Sequence, residues 1–221
     1  MYDSMTLIPL PDDVTFCEID KKEIREFFKL PLDKKIIFWG TTQPESMRKG
    51  KLLFDECLDI LWNKLDVEQR DSVIILNVGP SAGKFGIDSS FNTLYTGYIH
   101  TRAEMSLLYK LSDISVCTTI ADAGPMMISE SMCNETPVVA FDRSISCDLC
   151  VDGETGYLVK DLDIQRMSDS IEKLLFSSDL EMISQKSRQK YLSFHGRDKV
   201  LQKWKNLFDS ILKDKNETQP V

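Results

Sequence analysis

Positive charge is in short supply. The 221 residues carry 27 Lys and Arg against 35 Asp and Glu, a formal net charge of −8. A nucleic-acid-binding surface needs a basic face to collect phosphates, so nucleic acid is not an expected partner. The acidity otherwise reflects solvated helix faces and solubility. Long apolar runs are also missing: none approaches the roughly 18 residues needed to cross a bilayer. The first residues, Met1 to Val14, lack the basic stretch followed by an apolar stretch that marks a secretory leader. The expectation is a soluble, cytoplasmic protein. Histidine is limited to His100 and His195. That leaves the Cys147-Asp-Leu-Cys150 pair without the two further ligands a structural zinc takes. The 6 cysteines are therefore expected as reduced thiols, mostly in the core. There is no internal repeat and no low-complexity segment.

What is present is an alternation of short apolar runs with helical patterns. Lys35–Gly40, Ser72–Gly79, Thr93–Ile99, Ile114–Thr118 and Thr136–Phe141 read as strands, with Gly156–Val159 as a sixth. Between them, Lys51–Leu65 carries a helical apolar stripe through Leu58, Leu61 and Trp62. Thr101-Arg-Ala-Glu104 is a capping-box pattern opening a helix to Leu111, and Pro125–Cys133 reads as a short helix. Strands alternating with helices imply a parallel sheet covered on both faces, and continuous Val/Ile/Leu runs fit strands buried on both sides. The fold class expected is α/β: a single Rossmann-like, doubly wound parallel sheet over residues 34–178. Residues 1–33 form a lead-in with a short helix at Lys21–Leu30, residues 179–214 add C-terminal helices, and residues 215–221 are an expected disordered tail. Ligands of such sheets sit beyond the carboxyl ends of the strands, here the loops after Gly40, Gly79, Gly97, Thr118 and Phe141.

One stretch stands out: Asp122-Ala-Gly-Pro-Met-Met-Ile-Ser-Glu130, then Ser-Met-Cys-Asn-Glu-Thr-Pro137-Val-Val-Ala. It resembles the signature of family-four glycosyltransferases, in which two acids flank seven residues and a small-residue stretch leads into "TPVV". Here the first acid is Asp122 rather than Glu. A second match is Gly40 to Gly50, ending Arg48-Lys49-Gly50. The family's usual Arg after the glycine is Thr41, and the longer loop resembles members that act on bacterial surface polysaccharides. Tyr95-Thr-Gly97-Tyr98-Ile99 and Asp152-Gly-Glu-Thr-Gly156-Tyr-Leu extend the resemblance over residues 34–176. Ser144-Ile145 replaces a Gly-Gly pair common in the family, where a Cβ is expected to crowd the donor.

The resemblance implies the nucleotide-sugar-binding, C-terminal half of a GT-B fold, and a hexosyltransferase that retains configuration at the anomeric carbon. The implied ligand is a nucleotide-diphosphate sugar, UDP- or GDP-linked, with no other cofactor and no metal. The candidate binding residues are Gly40, Arg48, Lys49, Asp122, Gly124, Pro125, Met126 and Glu130. Cations at a helix start oppose the helix dipole, and a bound diphosphate explains Arg48 and Lys49 there. Pro125 suits a first helical position, and the amides around it are placed to face the same anion. Glu130 is assigned the ribose hydroxyls and Asp122 the sugar hydroxyls. The plain alternative is that Asp122 caps the helix and Glu130 is a solvated acid.

Other features are set aside. Gly79-Pro-Ser-Ala-Gly83-Lys84-Phe85 is one residue short of a phosphate loop and lacks its Ser or Thr, though Lys84 is still expected near the donor pocket. Asp163 is expected to cap a helix and His195 to end one. A complete GT-B enzyme has two such domains and takes roughly 350 residues. The segment Leu7–Asp12 resembles the interdomain linker, so a separate acceptor-binding domain or chain is the expected partner, and any membrane association would be peripheral, through that partner. Donor binding without turnover by the isolated chain is the resulting expectation. The alternatives are a GT-B-like nucleotide-sugar epimerase fragment and a non-catalytic interaction module on the same fold.

Overall fold

A computed structural model describes residues 14–80, 86–122, 124 and 126–217, with side chains to residue 213. The linker-like Leu7–Asp12, Lys84, Pro125 and the tail past residue 217 lie outside the described residues. The elements are α1 (Lys21–Phe27), β1 (Lys35–Gly40), α2 (Lys51–Lys64), α3 (Val67–Ser72), β2 (Val73–Val78), β3 (Asn92–Tyr95), α4 (Arg102–Leu111), β4 (Ile114–Cys117), α5 (Met126–Cys133), β5 (Val138–Phe141), α6 (Ser146–Leu149), β6 (Gly156–Val159), α7 (Ile164–Leu175), α8 (Leu180–Phe194) and α9 (Arg197–Glu217).

The six strands form one sheet in the order β3-β2-β1-β4-β5-β6, and every pairing is parallel. The order reverses between β1 and β4, the point at which doubly wound sheets bind ligands. The period of two divides the strand side chains between the two faces of the sheet. Ile37, Trp39, Val73, Ile75, Ile114 and Val116 face α2 and α7. Ile36, Phe38, Ile74 and Leu76 face α1 and α4, while Cys117, Val138 and Ala140 face α5 and α8. Phe54, Leu58 and Leu61 of α2 are fully buried, each contributing about 1.5–3 kcal/mol. All six residues of β2 are buried, which is why its run shows no alternation.

Local signals explain most boundaries. In α4 both hydrogen bonds of the Thr101–Glu104 capping box are formed. Asp163 caps α7 through the Arg166 amide, and His195 ends α8. The third strand stops at Tyr95, short of the expected Ile99, because Gly97 (φ 71°) turns the chain back to bridge Gly79. The fifth begins at Val138 because Pro137 has no amide to donate and the Thr136 amide donates to the Ser131 carbonyl at 3.0 Å instead. α3 was not expected; Asp66 and Gln69 build a capping box for it. At the opposite end of the sheet, Asp113 accepts from Arg25 Nη2 at 2.8 Å and from the Ile36 amide at 2.7 Å, fastening α1 beneath β1 and β4.

Candidate donor site

β1 ends at Gly40, where an added Cβ would lie 2.9 Å from the Val78 carbonyl oxygen. The chain then crosses the top of the sheet and makes a 3-10 turn at Met47–Lys49. Gly50 (φ 72°) reverses it into α2, and a Cβ there would stand 1.9 Å from the Thr118 carbonyl oxygen. Only glycine meets both demands. The approach brings the Arg48–Gly50 turn onto the end of β4: Arg48 accepts at its carbonyl from the Ile120 amide at 2.8 Å, and the Thr118 hydroxyl donates to the Lys49 carbonyl at 3.3 Å. Lys49 is thus held by backbone on both sides of the switch point.

A cavity of about 390 Å³ opens there. Gly40, Thr41, Lys49, Gly79, Met126 and Glu130 are among its walls, with Phe38 and Tyr109 toward the sheet. The first turns of α5 face it through Met126, Met127 and Glu130. A helix beginning at such a cavity favours anionic ligands.

Asp122 stands at the rim and binds both cations of the turn. Its Oδ2 lies 2.6 Å from Lys49 Nζ and 3.3 Å from Arg48 Nη1. Lys49 and Asp122 keep 18% and 20% of their side-chain surface exposed, while Arg48 keeps 46% and also donates to Gln43 Oε1 at 2.9 Å. Partial burial would raise the Asp122 carboxyl, but the Lys49 ammonium, the Gly124 amide and Arg48 outweigh it and hold the group below the usual carboxylate range. Glu130 Oε2 accepts from the Tyr109 hydroxyl at 3.0 Å.

Of the residues expected from the sequence, Gly40, Lys49, Met126 and Glu130 line the cavity, and Arg48, Asp122 and Gly124 adjoin it through Lys49. One expectation changes: the Gly124 amide donates to Asp122 Oδ1 at 3.2 Å, so it is engaged within the loop rather than directed at an anion. Asp122 makes that bond ahead of α5 and is therefore an organiser of the loop. Ser144 adopts φ 55°, the left-handed region that favours glycine. Ile145 packs beside Leu149 and Cys150. Tyr109 escaped the sequence reading; it is one of several apolar-face residues of α4, and only the approach of α5 gives it a polar partner.

A parallel sheet of this order is a Rossmann-like, doubly wound domain of the GT-B type, and here a cation and an acid meet at its switch point. Residues 89–190 match the family described as glycosyl transferases group 1. Over 121 residues it is 30% identical to the poly(ribitol-phosphate) alpha-N-acetylglucosaminyltransferase of Staphylococcus aureus (strain COL), covering 54% of this chain and 24% of that protein. Sucrose-phosphate synthase of Thermosynechococcus elongatus superimposes with a TM-score of 0.70 at 16% identity, over 90% of this chain and 52% of that one. Anabaena HepE in complex with UDP and glucose gives 0.66 at 15% identity, over 86% of this chain and 52% of its own. The chain thus spans about a quarter of the curated relative and about half of each solved structure. Among the described residues, no helix is long and apolar enough to cross a membrane, and no group of three or more His, Cys, Asp or Glu is arranged to hold a metal ion.

Proposed function

We propose that this domain binds the nucleotide-diphosphate sugar of a retaining hexosyltransferase and works opposite an acceptor-binding domain in polysaccharide or glycoconjugate synthesis. The observation that carries the reading is the meeting of Lys49 and Glu130 in one cavity at the β1/β4 switch point. A nucleotide diphosphate needs a cation for its phosphates and an acceptor for its ribose hydroxyls, and the cavity offers both. The solved complex of HepE with UDP and glucose supports the same ligand class.

In this reading the diphosphate replaces Asp122 on Lys49 and Arg48, and the first turn of α5 adds its positive end. Glu130 accepts from the ribose. Asp122, released from the cations, turns to the hydroxyls of the transferred sugar. Leaving-group charge then develops against Lys49 and Arg48, and the rate gain comes from positioning and from that stabilisation. A domain of this kind binds the donor weakly and transfers nothing without an acceptor-binding domain opposite it, in keeping with the chain's spanning about half of each solved structure. Calorimetry against UDP-, GDP- and ADP-sugars tests binding: a saturable signal with at least one is expected, and none with all three would sink the proposal. Sugar transfer by the purified chain alone would overturn the requirement for a second domain.

A further inference from the structure

Tyr109 is 1% exposed, yet its hydroxyl reaches the donor cavity from beneath. Its ring lies on Phe38 at 4.3 Å between centroids, and its carbonyl accepts from the Thr136 hydroxyl at 2.7 Å. Both the ring and the backbone are thereby fixed. The hydroxyl ends 3.0 Å from Glu130 Oε2. We propose that Tyr109 is a positioning residue for nucleotide recognition, holding Glu130 so that its carboxylate presents acceptor lone pairs to the ribose hydroxyls; this rests on the assignment of Glu130 to the ribose.

An ionised carboxylate only accepts, so the phenol must be the donor. Burial pushes the phenol well above its usual range, and the Glu130 charge beside it pushes the same way. It therefore stays a neutral donor wherever the protein is folded near neutral pH. A carboxylate offers about four lone-pair sites, and the bond to Tyr109 takes one of them. What the bond supplies is orientation. A glutamate side chain ending a run of three rotatable bonds would otherwise lose rotamer freedom on binding, and that cost would weaken affinity. The bond to Tyr109 restricts that freedom beforehand. The anchor is rigid because it comes from a second element: α4 fixes a side chain of α5.

The test uses the full chain and four probes: UDP and GDP, each as the ribonucleotide and as its 2′,3′-dideoxy analogue. Tyr109→Phe keeps the ring stack and removes the hydroxyl. The expected result is about tenfold weaker binding of the ribonucleotide, the scale of a lost charge-assisted hydrogen bond, with dideoxy binding unchanged. Equal weakening of both forms would mean a structural role only and overturn the proposal, as would no change in either. In a Glu130→Ala background the Phe substitution should have no further effect; a full effect there also overturns it. If Glu130→Ala itself fails to reduce the preference for ribose, the assignment of Glu130 falls, and that outcome is separate from the behaviour of Tyr109. Should Tyr109→Phe lower Tm enough to compromise folding, 3-fluorotyrosine placed at 109 keeps the hydroxyl and must retain wild-type ribose preference; loss of that preference overturns the proposal.

Discussion

Asp122 offers a counterintuitive prediction. It is one of the two signature acids, yet in the ligand-free chain it occupies the cations proposed to hold the donor diphosphate, 2.6 Å from Lys49 and 3.3 Å from Arg48. A diphosphate must displace it. Replacement by Asn keeps the shape and removes the competing charge. Both Lys49 and Asp122 keep about a fifth of their side-chain surface in water, so screening limits the pair to about 1 kcal/mol. UDP should therefore bind the Asp122→Asn chain about fivefold more tightly than wild type. A UDP-sugar should gain less, because the same substitution weakens a hydrogen bond to the sugar, a loss of about 0.5–1.5 kcal/mol. The ratio of UDP to UDP-sugar affinity is the readout, measured by calorimetry at low salt. The sign with pH follows from the lowered Asp122 carboxyl: the group stays ionised through the ordinary carboxylate range, so wild-type competition persists down to about pH 4 and is relieved only below it. Weaker UDP binding by Asp122→Asn would refute the reasoning, because it would make Asp122 a support of the cation site rather than its competitor.

Other outcomes follow from single contacts. Gly50→Ala should cost at least about 2 kcal/mol in urea unfolding and abolish nucleotide binding, since the left-handed φ and the Thr118 carbonyl both reject a Cβ. Asp113→Ala strands the buried Arg25 guanidinium and should cost about 3–5 kcal/mol. Burial would raise the Asp113 carboxyl, but Lys21 and Arg25 hold it low; its stabilising contribution is thus present above the unfolded pKa of about 3.9 and fades as pH falls through the lower folded value, which acid titration of Tm should show against Asp113→Asn. In a thiol-reagent assay one cysteine of the native chain should react. It is Cys147, the exposed one, and slowly, because partial burial and its bond to Asp142 raise its pKa; the other five should react only on unfolding.

The sheet was legible because buried parallel strands leave unbroken apolar runs, as at Val73–Val78, and because glycines stand where strands end. The third strand was over-read at Tyr98 and Ile99, whose β-favouring side chains outlast the hydrogen bonds that Gly97 interrupts. α3 was missed although Asp66 and Gln69 announce it; six residues are too few to show helical periodicity. At the site, the placing of Lys49 and Glu130 at one cavity was legible from motif spacing. The capture of the Gly124 amide by Asp122 was not, since a two-residue side-chain turn competes with an open helix start and only geometry decides between them. Nor was the Lys51–Asp55 pair buried at the start of α2, because an i,i+4 pair reads as solvated until the β2–β3 loop is known to cover it through the Asp88 amide. Tyr109 belongs with these: its value depends on α5, 21 residues further on.

The central claim is that Glu130 and Lys49 make one nucleotide-diphosphate site. It is tested most directly by calorimetric titration of the wild-type and Glu130→Ala chains with UDP- and GDP-sugars under matched conditions. The account predicts a loss of about 1–3 kcal/mol in the variant, the scale of a removed charged hydrogen-bonding group. Equal affinity in the two chains would contradict it.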